Sequence, residues 1–117
     1  LPYGVRKVVE LARALCTEPK LLLLDEPSSG LNVEETEDMA FWISDIKNVL
    51  GITVLMVEHD MTLVSKVSDR VLAMAQGMEL ATGTPQQVQG DAGVIEAYLG
   101  TVDDVSSLRR DNTKESA

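Results

Sequence analysis

The spacing of apolar positions in the first part of the chain predicts a helix followed by a buried strand. Residues 5–16 repeat apolar side chains at helical spacing, and Pro19 ends that helix. Cys16, on the same apolar side, is expected to be a small buried side chain. The unbroken apolar run Leu21–Leu24, closed by Asp25, is typical of a central parallel strand that is covered on both faces.

A second helix and a second strand follow. Asn32 can cap the helix, acidic residues fill its first turn, and Gly51 stops it. Residues 53–57 form the second β-rich run, and residues 61–67 carry the spacing of a short helix. The buried stripe of the second helix is expected to consist of Met39, Ile43, Ile46 and Leu50.

The remaining pattern predicts strands at residues 71–75 and 78–82, joined by a two-residue turn. Thr84 and Pro85 are expected to begin a helical turn, and residues 94–99 a last short helix. Alternating helices and strands predict an α/β fold with parallel strands and crossover helices, to which the final β-hairpin adds an edge.

Composition and charge narrow the class of protein. With 117 residues, 44% of them apolar, and a net charge of −9, the chain is globular and lacks the basic balance typical of nucleic-acid binding. Its single cysteine cannot form an internal disulfide, which fits a reducing, cytoplasmic setting. No apolar run reaches the roughly 18–20 residues of a membrane span and no signal peptide is visible, so any work at a membrane is expected to go through partners.

An acidic pair closes the first predicted strand. Open α/β sheets bind ligands at the carboxyl ends of their strands, where Asp25 could hold Mg²⁺, usually through water. Glu26 is expected to point the other way and could polarise an attacking water. Phosphoryl transfer needs this division of labour. Taken alone, the pair is equally typical of solvated loop residues.

His59 follows directly after the second predicted strand. If the two strands are neighbours, its imidazole opens into the same crevice as Asp25 and Glu26, where it could donate to a γ-phosphate oxygen and hold the water in line. A lone histidine more often has a structural or surface role. Its place at a strand end beside the acidic pair favours the functional interpretation.

Two further segments give weaker signals. Leu1-Pro2-Tyr3-Gly4 opens a helix, where free backbone N–H groups attract phosphate and Gly4 lets an anion approach closely. Many helices begin this way. Ser28-Ser29-Gly30-Leu31-Asn32 alone indicates a turn followed by a helix cap.

Together the four segments match one family in order and spacing. The chain resembles the ATPases of ATP-binding cassette (ABC) transporters from their signature motif onward, over about residues 1–100. The matching positions are Tyr3 and Gly4 in the signature motif, Asp25 as the Walker B aspartate, Glu26 as the catalytic glutamate, Ser29 and Asn32 in the D-loop, and His59 as the switch histidine. Segments 1–4, 58–61, 83–85 and 94–100 look most like the ATPases of bacterial branched-chain amino acid importers, although amide and urea importers share much of the pattern.

The resemblance implies a fold, cofactors and partners. Residues 1–100 would be the C-terminal portion of a RecA-like P-loop NTPase domain, and residues 101–117 a flexible tail. ATP and Mg²⁺ would bind between two ATPase subunits, identical or different, arranged head to tail. The partners would be transmembrane permease subunits and, indirectly, a periplasmic substrate-binding protein, which places the protein at the cytoplasmic face of the bacterial inner membrane. No nucleic-acid partner is expected.

Three departures from the family pattern bear on activity. Pro2, Tyr3 and Val5 stand where the common signature has Ser, Gly and Gln, and Asn32 replaces the usual D-loop Asp. The chain also contains no Gly-x-x-x-x-Gly-Lys-Ser/Thr, the loop that cradles phosphates in such ATPases. We therefore expect ATP hydrolysis from the full-length protein and not from this piece alone, which should also expose apolar sheet surface and be only marginally stable.

Two other functions fit parts of the pattern. A receiver domain with Asp25 as phosphoacceptor would suit the length, but the acidic pair after a first strand and the late lysine of such domains are missing. An ABC ATPase of DNA repair or translation would share the motifs, but the acidic balance and the importer-like ending argue against it.

Overall fold

The first five elements form one unit and the rest of the chain another. A computed structural model describes residues 2–98, and the two units divide after Val67. The first unit contains α1 (Tyr3–Leu15), β1 (Leu21–Asp25), α2 (Val33–Asn48), β2 (Thr53–Val57) and α3 (Met61–Val67). The second contains β3 (Val71–Ala75), β4 (Met78–Gly83), α4 (Pro85–Gln89) and a helical segment at residues 92–98.

The two strands of the first unit pair in parallel and bury one face of their sheet. Their register runs from Leu21 opposite Thr53 to Asp25 opposite Val57, so both strands end at the same edge. Alternate side chains face the helices because successive residues of a strand point to opposite sides. The core on that side is built from Leu11, Leu22, Met39, Ala40, Ile43, Ile46, Leu63 and Val67.

The other face of this sheet carries exposed apolar side chains. Leu23 is 65% exposed and Leu55 61% exposed, and Leu21 and Val57 are also open to solvent. The expectation that β1 is covered on both faces is therefore wrong for the described residues, because the helices of this unit supply a core to one side. The exposure of apolar sheet surface is confirmed.

The helices of the first unit follow the predicted caps more closely than the predicted burial. Asn32 caps α2, and the reciprocal bond from the Asn32 backbone to Glu35 completes a capping box. Leu50 lies beyond the end of α2 and is 58% exposed, so its place in the buried stripe is wrong. Cys16 is exposed rather than buried, because it occupies the C-cap position at the end of α1.

The second unit is an antiparallel hairpin packed against short helices. β3 pairs with β4, so this strand does not continue the parallel pair as the alternation predicted. Gln76 and Gly77 link the strands, and both have positive φ (51° and 75°), as a type I′ hairpin turn requires. Thr84 caps α4, as predicted. The predicted helix residue at 99 and the predicted tail at 101–117 lie outside the described residues.

Candidate functional site

The carboxyl ends of β1 and β2 bring two predicted site residues into contact. The His59 Nδ1 atom lies 3.1 Å from the Glu26 Oε1 atom. The pairing of the strands explains the contact, since Asp25 is the residue opposite Val57 and each side chain follows two or fewer positions later. Glu26 keeps 47% of its side chain exposed and His59 keeps 69%, so both can reach a ligand at this edge. The expectation that the two strands are neighbours and bring His59 to Glu26 is confirmed.

The chemistry of this contact constrains the imidazole. A carboxylate oxygen is a hydrogen-bond acceptor, so Nδ1 must carry the proton when the two groups bond. Nε2 of His59 is then left to face another group. The Glu26 Oε1 atom is engaged by the imidazole, which leaves Oε2 of the same carboxylate for a water molecule.

The backbone at Glu26 adopts a conformation that side chains other than glycine seldom take. Its φ is +46°, in the left-handed region. Three hydrogen bonds hold it there: its N–H donates to the Val57 carbonyl (2.8 Å), and its carbonyl accepts from the Ser29 N–H (3.0 Å) and from the Lys7 Nζ (3.2 Å). Such local strain often marks functional sites.

Glu58 lies beneath these two residues and joins the loops that carry them. Its side chain is 1% exposed. The Oε2 atom accepts from the Ser28 N–H at 3.1 Å, in the turn after β1. The Oε1 atom accepts from the His59 and Asp60 N–H groups at 3.0 and 3.3 Å, in the turn after β2. One carboxylate therefore connects both strand ends.

Asp25 is the candidate that could hold a cation. Its carboxylate is exposed and forms no hydrogen bond or ion pair with residues 2–98. Within those residues, no group of three or more His, Cys, Asp or Glu side chains could hold a metal ion. A single free carboxylate suits Mg²⁺, which keeps most of its water and takes phosphate oxygens as further ligands.

Tyr3 packs against the turn that follows β1. A Cβ atom on Gly30 would lie 2.5 Å from the Tyr3 ring, and Gly30 has a φ of +77°, so glycine is required there for both space and backbone. The Lys7 Nζ sits 5.5 Å from the centre of the same ring. The start of α1 thus contacts the turn that contains Ser29, and Ser29 itself is exposed.

Gly4 faces a carboxylate rather than open space. A Cβ atom at Gly4 would lie 1.8 Å from the Glu35 Oε2 atom. The other Glu35 oxygen accepts from the Asn32 N–H at 3.2 Å, as part of the capping box. A phosphate that approached Gly4 would therefore meet the Glu35 carboxylate, and the two anions would repel each other unless the Glu35 side chain moved away.

Sequence reasoning missed three residues that organise this site: Lys7, Glu35 and Glu58. Glu35 stands three residues after Asn32, which is the spacing of a capping box, so a local signal existed. Lys7 and Glu58 act over 19 and 30 positions of the chain. No short-range pattern reveals contacts of that kind.

Known proteins resemble the chain in sequence and in fold. A family model described as branched-chain amino acid ATP-binding cassette transporter matches residues 79–104. The high-affinity branched-chain amino acid transport ATP-binding proteins BraF of Pseudomonas aeruginosa and LivG of Escherichia coli K12 are each 45% identical over 100 residues. These alignments cover 86% of this chain, which spans 39% of the length of either relative.

A solved structure shows the same arrangement of elements. The ADP conformation of MJ1267, an ATP-binding cassette of an ABC transporter, superposes with a TM-score of 0.77 at 34% identity, covering 86% of this chain and 41% of that one. The family resemblance and the α/β fold class predicted from the sequence are confirmed. Among the helices that the structure describes, none is both long and apolar enough to cross a bilayer.

Proposed function

We propose that the chain, which is 45% identical to BraF and LivG over 100 residues, belongs to the ATPases of ABC transporters and is part of a subunit that hydrolyses ATP to power import of branched-chain amino acids. The contact between the His59 imidazole and the Glu26 carboxylate carries this proposal. It joins an acid and a histidine at the edge where parallel strands end, which is the place for phosphoryl-transfer chemistry in such folds.

Each residue at this edge has a proposed task. Asp25 would hold Mg²⁺ through water, and the ion would supply charge neutralisation for the phosphates of ATP. Glu26 would accept a proton from the attacking water through the oxygen that His59 leaves free. As an imidazolium, which carries a proton on both ring nitrogens, His59 would donate from Nε2 to an oxygen of the terminal phosphate while its Nδ1–H stays bonded to Glu26.

A second group of residues would act across a dimer of ATPase subunits. Tyr3 and Gly4 would approach nucleotide that is held by the partner subunit. Ser29 and Asn32 lie in the segment that resembles the D-loop, which would cross the interface between the two subunits. The exposure of Tyr3 and Ser29 supports this task. The Glu35 carboxylate at Gly4 adds a condition, since it must withdraw before a phosphate can approach that glycine.

The transporter context comes from the relatives. BraF and LivG are named for high-affinity branched-chain amino acid transport, and the family model at residues 79–104 carries the same description. We extend that solute class to this chain, with transmembrane permease subunits as partners and a peripheral place on the cytoplasmic face of the inner membrane. A periplasmic substrate-binding protein would be an indirect partner.

The proposed catalytic role has a sharp test in the complete subunit that includes a phosphate-binding loop. Glu26→Gln should lower Mg²⁺-dependent ATP hydrolysis by about 10²–10⁴-fold, the contribution of a general base, with ATP binding retained. Glu18→Gln is a matched control, because Glu18 is an exposed glutamate with a similar backbone (φ +50°). Turnover in Glu26→Gln equal to that of Glu18→Gln would refute the role, and no turnover in the wild-type subunit would refute the ATPase.

The solute class is tested separately, with the subunit, its permeases and a binding protein in proteoliposomes. Leucine, isoleucine and valine should stimulate ATP hydrolysis, and an amide or urea should not. Stimulation by an amide or urea alone would assign the subunit to a different importer. Stimulation by DNA or ribosomes, without any solute effect, would favour the alternative ABC ATPases.

A further inference from the structure

The buried carboxylate of Glu58 is a costly group to place in an interior. Its side chain is 1% exposed, while the residues on either side of the contact it supports, Glu26 and His59, are 47% and 69% exposed. Removing a carboxylate from water is unfavourable unless hydrogen bonds replace its hydration. An apolar residue of similar size would fill this position at lower cost, so burial alone does not account for an acid here.

The hydrogen bonds of Glu58 are divided between two loops. Oε2 accepts from Ser28 N–H, and Oε1 accepts from the N–H groups of His59 and Asp60. Ser28 lies two positions after Glu26, whose own carbonyl accepts from the Ser29 N–H. The carboxylate therefore sets the spacing between the turn that carries Glu26 and the turn that carries His59.

Glu58 also lies close to the imidazole itself. Its Oε1 atom is 3.8 Å from the His59 Nδ1 atom, which is 3.1 Å from the Glu26 Oε1 atom. Two carboxylate oxygens thus face the same ring nitrogen. The nearer oxygen accepts from Nδ1–H and the farther one, beyond hydrogen-bond distance, acts through its charge. Both favour a proton on Nδ1, in the neutral and the cationic ring alike, so Nε2 is the nitrogen that faces a ligand.

From this geometry we infer that Glu58 is a positioning residue, which holds Glu26 and His59 in register by bridging the two loops and orients the imidazole through Nδ1. The inference rests on the proposed function only for its catalytic consequence. The bridge and the tautomer are properties of the chain whether or not it hydrolyses ATP.

Glu58→Gln is the informative variant, because glutamine keeps the size and removes one acceptor. A carboxylate accepts with both oxygens, whereas an amide turns a donor toward either Ser28 or the His59–Asp60 pair. One of the two loops must then lose its bond. Glu58→Asp keeps both acceptors on a shorter side chain and should recover part of the function. Glu10→Gln, on the exposed side of α1, is the matched control.

The experiment uses the complete ATP-binding subunit. In Glu58→Gln we expect kcat to fall about 10–100-fold, as misplaced catalytic groups do, with the KM for ATP within about twofold of wild type. Backbone amide exchange at residue 28, or at residues 59 and 60, should accelerate by about tenfold, the effect of one lost hydrogen bond. The ¹⁵N spectrum of His59 should lose its Nδ1–H tautomer preference.

The outcomes separate this inference from the proposed function. If the wild-type subunit hydrolyses ATP, and Glu58→Gln matches Glu10→Gln in kcat, exchange and imidazole spectrum, Glu58 does not position the site and the proposed function stands. A Glu58→Gln variant that only unfolds at lower temperature, with unchanged kcat, also overturns the inference. If wild type is inactive, the proposed function fails, and unchanged exchange and tautomer in Glu58→Gln would overturn the bridge as well. Should Glu58→Gln not fold, a Glu58→Asp variant that loses amide protection at residue 28, or at residues 59 and 60, and yet keeps full kcat would overturn it.

Discussion

At the scale of single residues, the backbone of Glu26 has a left-handed conformation that residues other than glycine seldom adopt. Glu26 has a φ of +46°, and the bonds to Val57, Ser29 and Lys7 hold it there. The left-handed region costs an L-residue with a Cβ atom roughly 1–2 kcal/mol. In the proposed role of Glu26 as general base, this cost would be accepted for the sake of the carboxylate, and stability and function would oppose each other at this position.

Glycine and alanine at Glu26 separate backbone strain from side-chain loss. Both remove the carboxylate, but only glycine relaxes the left-handed backbone, so Glu26→Gly should be more stable to unfolding than Glu26→Ala by about 1 kcal/mol. Urea denaturation of the two variants measures the difference. Glu18, with a φ of +50°, should show the same order. Equal stability of the alanine and glycine variants at Glu26 would mean that its backbone is not strained.

The sequence predicted that Glu26 and His59 would meet, but it did not predict the hydrogen bonds of Glu58 that join their loops. Asp25, Glu26 and His59 stand at strand ends in the linear pattern, so the contact between the last two followed from pairing the strands. Glu58 directly precedes His59, yet nothing local distinguishes a buried carboxylate from a solvated one. Its burial depends on Ser28, 30 positions earlier, and contacts at that separation are set by the folded chain.

At the scale of elements, helix ends were the most predictable feature and burial the least. A helix cap is a contact across three residues, so the sequence around Asn32 already contains both partners. Burial of Cys16 or Leu50 depends on what another element places opposite them, and both are exposed. The third strand shows the same limit. The turn at Gln76-Gly77 was predicted correctly because it depends on neighbouring residues. The parallel pairing of β3 with a distant strand was predicted wrongly, since β3 pairs with β4.

Substitution of Asn32 tests the capping box of α2. Asn32→Ala removes the acceptor for the Glu35 N–H (2.8 Å) and should lower the free energy of unfolding by about 1 kcal/mol. Asn32→Asp should leave it within about 0.5 kcal/mol, since both caps accept equally well. Urea unfolding monitored by circular dichroism checks both. A loss in Asn32→Asp as large as in Asn32→Ala would show that the charge beside Glu34 and Glu35 outweighs the cap.

At the scale of the whole molecule, the first unit has a core on one side of its sheet and apolar residues in solvent on the other. Leu22 is 5% exposed and Leu23 is 65% exposed, although they are neighbours with the same side chain. A strand whose own side chains are apolar on both faces is typical of a sheet that is covered on both sides. The chain spans 39% of the length of BraF and LivG. In a subunit of their length, the additional residues could cover the exposed face of this sheet.

Leu22 and Leu23 give a paired test of that interpretation. In the chain alone, Leu22→Ala should destabilise by about 3 kcal/mol, because it leaves a cavity, and Leu23→Ala by about 0.5 kcal/mol or less, because its side chain is already in water. In the complete subunit both should cost about 3 kcal/mol if further elements pack onto this face of the sheet and bury Leu23. Chemical denaturation of the four proteins gives the comparison. If Leu23→Ala remains nearly neutral in the complete subunit, the exposed face stays uncovered there, and the apolar run in β1 needs another explanation.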